Sequence, residues 1–432
     1  HLKQRMSELK ERIGSKPVTM RLAAADGRYH EAKKLYDEIK KLFPEFIELD
    51  LESEMQGALD AAAEAMNKAK SIKSEKDIID YCGGLGDIKS KKIKTVSTKS
   101  FTSDSLRMLR AFRFCVQLGY SIDKQTLTQI KKNAKLINAA APERIKNEFF
   151  AVLSSPDALK YIELMDNTGI LEAMFPEITV MKKSAKKYYY HKNGLFHHTT
   201  EVLYGLDSVF QNAKKYFPKY EKEIKEHFTQ KFSSNVDRRN LLKFAALFHD
   251  AAKPACAAKV GDKMRFLGHE EKGAVIIKAI SKRLKLSKEE TEVAQKLVAA
   301  HMRPSTLTKN NTVTHKAALR FFKDLGNETL DVLVLAVADW LSYKGLKIFS
   351  PKTLKNQLVS VNFMIDEYFK YKNAPAKVKL LDGNILIKHF KIKPSPLIGA
   401  MIKDIDDKQL VGEITSKEAA LKYLSKKYKK QL

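Results

Sequence analysis

Cysteine is scarce in this 432-residue chain: Cys82, Cys115 and Cys256 are the only three, and no two stand at a disulfide or metal-ligand spacing. That excludes a disulfide-stapled secreted scaffold and a cysteine zinc site, and it fits a reducing cytoplasm. Long apolar runs are missing too. Without about 18 consecutive apolar residues there is no membrane-spanning helix to expect, and no membrane partner. No signal peptide opens the sequence, and its first residue is His1 rather than methionine, so an upstream segment is expected to be missing. Acidic residues are in deficit, with 51 Asp plus Glu against 79 Lys plus Arg, a formal charge of +28. Such an excess favours a polyanion, because lysines spread along every segment release phosphate counterions over an extended surface. RNA is therefore the first partner to expect. The length is too great for one comfortable core and suggests three or four domains.

What is present is helical periodicity. Apolar residues recur at i, i+3, i+4, i+7 from about residue 104 to the end. Strand-like stretches come early, at 17–24 and 45–51 on either side of a helix at 30–43, so residues 1 to about 100 read as a small α/β unit. Three glycines within Asp80-Tyr-Cys-Gly-Gly-Leu-Gly86 predict a turn before 88–96. A lysine- and tyrosine-rich join at 182–191, and a second near Pro351, separate helical blocks. The fold class that follows is mostly α with a small N-terminal α/β part.

Two constellations carry chemistry. Asp104, Arg107, Arg110 and Arg113 fall on three-residue steps, which predicts one helical stripe with a carboxylate and three guanidiniums. A carboxylate beside an arginine offers acceptor and donor to a base edge, and further arginines take phosphates bidentately. A salt-bridged, solvated helix face has the same spacing. The second constellation is His198, His249-Asp250 and Asp339, each expected at the boundary of its own apolar helix. Burying imidazoles and carboxylates together is costly unless a divalent cation satisfies them, and a metal so held lowers the pKa of bound water for phosphoester hydrolysis. His249, Asp250 and Lys253 are the expected catalytic groups. His269 and His301 are expected to bind phosphate or a second metal, whereas each histidine alone would read as a hydrogen-bonded core residue.

The ordered set His, His-Asp, Asp resembles the HD phosphohydrolase superfamily, with the surrounding phrases Ala245-Ala-Leu-Phe-His-Asp-Ala-Ala-Lys-Pro254 and Ala336-Val-Ala-Asp339. Taken with the stripe, the chain from about 78 onward resembles the class II tRNA nucleotidyltransferases, the CCA-adding and poly(A) polymerase family, in its HD-containing form. Asp104-Ser-Leu-Arg107 resembles that family's nucleotide-templating motif, and Pro142-Glu-Arg144-Ile-Lys-Asn-Glu148 the neck motif that braces it. The resemblance implies a nucleotidyltransferase head at 1–100, a helical neck and body at 101–182 that bind nucleotide and RNA, an all-α HD domain at 183–350, and a helical tRNA-binding tail at 351–432. It also implies tRNA as partner, CTP and ATP as substrates, and a divalent metal, magnesium or a transition metal, at the HD centre. The head departs from the pattern: Glu48-Leu-Asp50 is the closest counterpart of its paired carboxylates. Moreover, Leu59 and Glu64 stand where the family has an arginine and an asparagine. A degenerate or truncated head is expected, and with it an alternative activity: an RNA-binding HD phosphohydrolase acting on RNA ends or small phosphoesters.

Overall fold

The computed structural model describes residues 80–184, 193–309, 313–374, 379–429 and 431. The expected strands at 17–24 and 45–51, and with them Glu48, Asp50, Leu59 and Glu64, lie outside the described residues. The chain divides into two compact units, 1–86 and 87–432. Within the first, the Asp80 carboxylate accepts the backbone N–H of Gly84 at 2.7 Å and of Leu85 at 2.9 Å. The glycine-rich segment thus caps the Gly84–Lys89 helix rather than only turning.

The second unit is helical, as the periodicity predicts. Two short sheets interrupt it: Lys92–Ile93 pairs parallel with Ser121–Ile122, and Ala258–Val260 pairs antiparallel with Lys263–Arg265. The second pair is a hairpin that the helical pattern does not announce, turned at Gly261 with φ +61°. Helix starts follow their caps. Asp237 and Asn240 form a reciprocal box before Arg238–Phe248, and Ser287 with Glu290 does the same before Lys288–Ala300.

One apolar core runs from Phe101 to Tyr368. Its axis is Thr329–Ser342, a helix so apolar that nearly every residue is buried, which is the pattern of a central element. Leu195–Gln211 lies against it at backbone contact: a Cβ on Gly205 would stand 2.6 Å from the Ala338 carbonyl oxygen. Gly273 in His269–Arg283 is similarly tight, its Cβ position 3.0 Å from Val298 Cγ1 and 3.3 Å from the His249 carbonyl. A ladder of rings joins the N-terminal helices to this bundle, from Phe149 to Phe175 (centroids 5.1 Å) and from Phe175 to Phe248 (5.1 Å). Beside it the fully buried Lys243 ammonium meets Asp207 at 2.5 Å and donates to the Ser155 carbonyl at 2.6 Å.

A separate small core, from Leu381 to Leu424, is built by the helices Gly383–Phe390, Pro396–Leu410 and Lys417–Lys427. Ion pairs tie it to the His315–Leu325 helix, Lys323 to Asp407 at 2.5 Å and Lys316 to Glu413.

Candidate metal centre and nucleotide-facing helix

Five helices deliver the His/Asp set. His198 lies in the first turn of Leu195–Gln211, and His249 caps Arg238–Phe248 with Asp250 next in the chain. His269 opens His269–Arg283, His301 caps Lys288–Ala300, and Asp339 sits one turn before the end of Thr329–Ser342. The expected boundary positions therefore hold to within a turn. All of the expected residues converge.

Asp250 is the hub. Its Oδ2 stands 3.3 Å from His198 Nε2, 3.4 Å from His249 Nε2 and 2.5 Å from Lys253 Nζ. Its Oδ1 stands 3.3 Å from His269 Nε2 and 3.5 Å from His301 Nε2. Asp339 Oδ1 closes the group at 3.2 Å from His198 Nε2. Behind the rings the hydrogen bonds repeat: Nδ1 of His249, His269 and His301 each meets the carbonyl three residues earlier, of Ala246, Phe266 and Val298, at 2.7 Å. His198 Nδ1 meets Ser342 Oγ at 3.2 Å, and that hydroxyl donates to the Asp339 carbonyl. An Nδ1 that donates outward leaves Nε2 as a lone pair, so four imidazole lone pairs point at carboxylate oxygens.

With the rings neutral, acceptor faces acceptor at this range, which is repulsive without a proton or a metal cation between them. Two details agree with that. Asp250 Oδ1 and Asp339 Oδ1 are buried with no hydrogen-bond partner, and His198, His249 and Asp339, or His249, Asp250 and His301, bring one donor atom each within 4.8 Å of one another. The donor set of nitrogen and oxygen atoms fits a divalent metal. Burial pushes the Asp250 carboxyl up, but the Lys253 ammonium and the imidazoles hold it well below the usual carboxylate range. Burial likewise opposes charge on His198, yet the carboxylates of Asp250 and Asp339 raise its pKa. His301 is pulled down by burial. The centre opens where Lys253 and Asp339 show, each with 17 % of its side chain exposed. A cavity of about 620 Å³ lies elsewhere, lined by His315, Lys323, Glu367, Lys370, Tyr371 and Asp406. Convergent donors, and not cavity size, locate the chemistry.

The stripe at 104–113 needs a correction. Asp104 is not on the helix with the arginines: the chain breaks between Ser100–Ser103 and Arg107–Leu118, and the Asp104 carboxylate accepts the Leu106 N–H at 3.1 Å. A short carboxylate competes for backbone donors and favours a cap over a helix interior. Arg144 braces it at 3.4 Å, and Glu148 takes Arg113 Nε at 2.6 Å. Arg107 and Arg110 instead line a cavity of about 340 Å³ with Lys94, Phe101 and Phe114. Sequence reasoning missed Ser342 and Tyr343, whose ring centroid is 5.4 Å from that of His198. It also missed the two glycines at helix contacts. His197, beside His198, pairs with Glu201 at 3.8 Å and belongs to the surface.

This helical bundle and its centre resemble those of HD-domain proteins. Two family models match the chain: the HD domain over residues 206–344, and the probable RNA and SrmB-binding site of polymerase A over residues 119–182. Among curated relatives, an A-adding tRNA nucleotidyltransferase of Deinococcus radiodurans is 25 % identical over 366 residues, 83 % of this chain and 76 % of its own length. A CC-adding tRNA nucleotidyltransferase of Thermus thermophilus is 26 % identical over 347 residues, 78 % of this chain and 70 % of that one. A solved CCA-adding enzyme in an apo form covers 82 % of this chain and 67 % of its own at 18 % identity, with a TM-score of 0.47. Together these matches support a tRNA nucleotidyltransferase family with an HD domain.

Proposed function

We propose that this protein binds tRNA and acts in the processing of its 3′ end, and that its HD centre is a metal-dependent phosphohydrolase. The first part is carried by relatives named as A-adding and CC-adding enzymes, which match along most of the described chain. In this reading CTP and ATP are the nucleotides, a cytoplasmic setting follows, and Asp104, Arg107, Arg110 and Arg113 serve nucleotide binding. Arg107 and Arg110 face the nucleotide cavity, while Asp104 and Arg113 are set by Arg144 and Glu148. Residues 1–100 are the head, 101–182 neck and body, 183–350 the HD domain and 351–432 a tRNA-binding tail.

The second part is carried by the convergence of four imidazole nitrogens on Asp250. His198, His249, Asp250 and Asp339 would hold one divalent ion; His269 and His301, on the Oδ1 side of Asp250, would hold a second ion or the phosphate. Such an ion supplies an activated water and a Lewis acid for a phosphoryl oxygen. The imidazole content favours a transition metal over magnesium. Lys253 neutralises Asp250 and presents its ammonium at the opening, where it can take a phosphate oxygen. The rings are fixed in one tautomer by Ala246, Phe266, Val298 and Ser342, so no donor need reorient to meet substrate.

The test is direct. With labelled ATP and a tRNA that lacks its terminal A, the protein should lengthen the RNA; no extension in excess magnesium overturns the transferase part. Asp250→Ala should abolish phosphate release from a phosphoester and leave tRNA binding intact, and equal hydrolysis by the variant overturns the HD part. A transferase-inactive RNA-binding phosphohydrolase is the second reading. Leu59 and Glu64, in place of the family's arginine and asparagine, favour it.

A further inference from the structure

The Ala258–Arg265 hairpin springs from the metal centre. It follows the Lys253–Cys256 helix by one residue and ends at Phe266, whose carbonyl faces His269 Nδ1 and whose ring centroid lies 5.8 Å from Lys253 Nζ. The register sets Ala258 opposite Arg265, Lys259 opposite Met264 and Val260 opposite Lys263. Lys263 and Arg265 therefore share a face with Val260, roughly 7 Å apart along the strand, and Lys259 lies on the other face. All three cations are exposed, and among the described residues none has an ion-pair partner. Exposed lysines without a carboxylate partner are common in this basic chain; what sets these three cations apart is their place on a hairpin that starts beside Lys253 and ends beside His269. Asp262 at the turn is the hairpin's single acidic group. Exposed apolar side chains lie among the cations, Val260 at 55 % and Leu267 at 81 %.

We propose that this hairpin is a contact surface for the single-stranded 3′ end of an RNA, and that it selects polynucleotide ends over small phosphoesters at the HD centre. The proposal rests on the phosphohydrolase reading of that centre. One phosphate at the opening is served by Lys253. Three further cations, on an arm reaching roughly 10 Å from its base, extend the positive surface outward from Lys253 and suit a substrate that carries more phosphates upstream. A flexible single strand can follow both faces of a narrow ribbon, and apolar groups between cations suit its unstacked bases.

The experiment uses the full chain and a short 3′-phosphorylated oligoribonucleotide with 4-thiouridine next to its end. Ultraviolet cross-linking should place adducts on residues 258–267. Adducts confined to other segments overturn the proposal. In parallel, the triple variant Lys259→Ala, Lys263→Ala and Arg265→Ala should raise KM for the oligonucleotide about tenfold with kcat little changed. Its kcat/KM for p-nitrophenyl phosphate should stay within about twofold of the parent protein. Equal losses on both substrates, or none on either, also overturn the selection. If the parent protein cleaves neither substrate with manganese, cobalt or nickel, the phosphohydrolase reading fails and takes the selection with it. The adduct map still decides the RNA contact.

Discussion

Replacing Gly205 by alanine should dismantle the centre from outside it. The new Cβ would lie 2.6 Å from the Ala338 carbonyl oxygen, 3.1 Å from its Cα and 3.2 Å from its C. All three are backbone atoms in a helix, so no side chain can swing aside. Ordinary contact requires Leu195–Gln211 and Thr329–Ser342 to part by about 0.8 Å. Asp339 follows Ala338 directly, and His198 lies two turns before Gly205 on the same helix face, with Nε2 now 3.2 Å from Asp339 Oδ1. A separation of that size exceeds the roughly 0.2 Å tolerance of a metal–ligand bond. Overpacking should cost about 1–3 kcal/mol of stability, and displaced ligands about 10–100-fold in metal affinity. Cobalt(II) titration followed by its visible absorption reads the affinity, and circular dichroism reports the fold. A control is available at Gly399 in the Pro396–Leu410 helix, where a Cβ meets nothing within 4 Å. Gly399→Ala should leave cobalt binding unchanged and stabilise the tail by about 0.5–1 kcal/mol. If Gly205→Ala binds cobalt within threefold of the parent protein, the reasoning from helix contact to ligand geometry is wrong.

Two other consequences concern buried groups. Lys243→Met strands the Asp207 carboxylate, which is buried and otherwise holds only the Ala158 N–H at 2.8 Å, so a loss of about 3–5 kcal/mol in denaturant unfolding is expected. The double variant with Asp207→Leu should regain most of it; no recovery would show that the pair is not the source. Burial pushes the Cys115 thiol up to about 11. Its folded pKa is raised above the unfolded value, so the protonated thiol's contribution to stability is complete below about pH 8.5 and is lost as pH rises toward 11. In the native protein iodoacetamide should modify the exposed Cys82 and spare Cys115 at pH 8; equal labelling of both would contradict the burial argument.

The centre was legible because its residues are of types that do not enter apolar helices without a reason. His198, His249-Asp250, Asp339, His269 and His301 each interrupt a periodic apolar pattern, and the structure gathers all of them around one carboxylate. The supporting groups gave no such signal. Ser342 is a common helix residue, and only tertiary packing turns its hydroxyl toward His198. Gly205 and Gly273 read as weak helix formers, although what they provide is close approach. The stripe misled in the opposite way. Its three-residue spacing is a correct helical signal for Arg107, Arg110 and Arg113, but spacing says nothing of a local competitor for the backbone, and Asp104 is one. The hairpin at 258–265 is too short to impose a period, so Gly261 was its only mark.

Phe248 lies next to the His249-Asp250 dyad and at the end of the ring ladder that begins at Phe149 in the Pro142–Leu153 helix. That same helix carries Arg144 and Glu148, which hold Asp104 and Arg113. One helix therefore connects to the His/Asp centre by way of Phe175 and Phe248 on its apolar side, and braces Asp104 and Arg113 through its polar one. Interiors packed at crystal density transmit displacement instead of absorbing it. A shift of Pro142–Leu153 on nucleotide or RNA contact would reach His249 through two ring contacts and one peptide bond. The pair Lys243–Asp207, bonded to Ser155 just beyond that helix, adds a second rigid link. The helical body and the HD bundle share one core for this reason, and a mutation at either site is to be read for its effect on both.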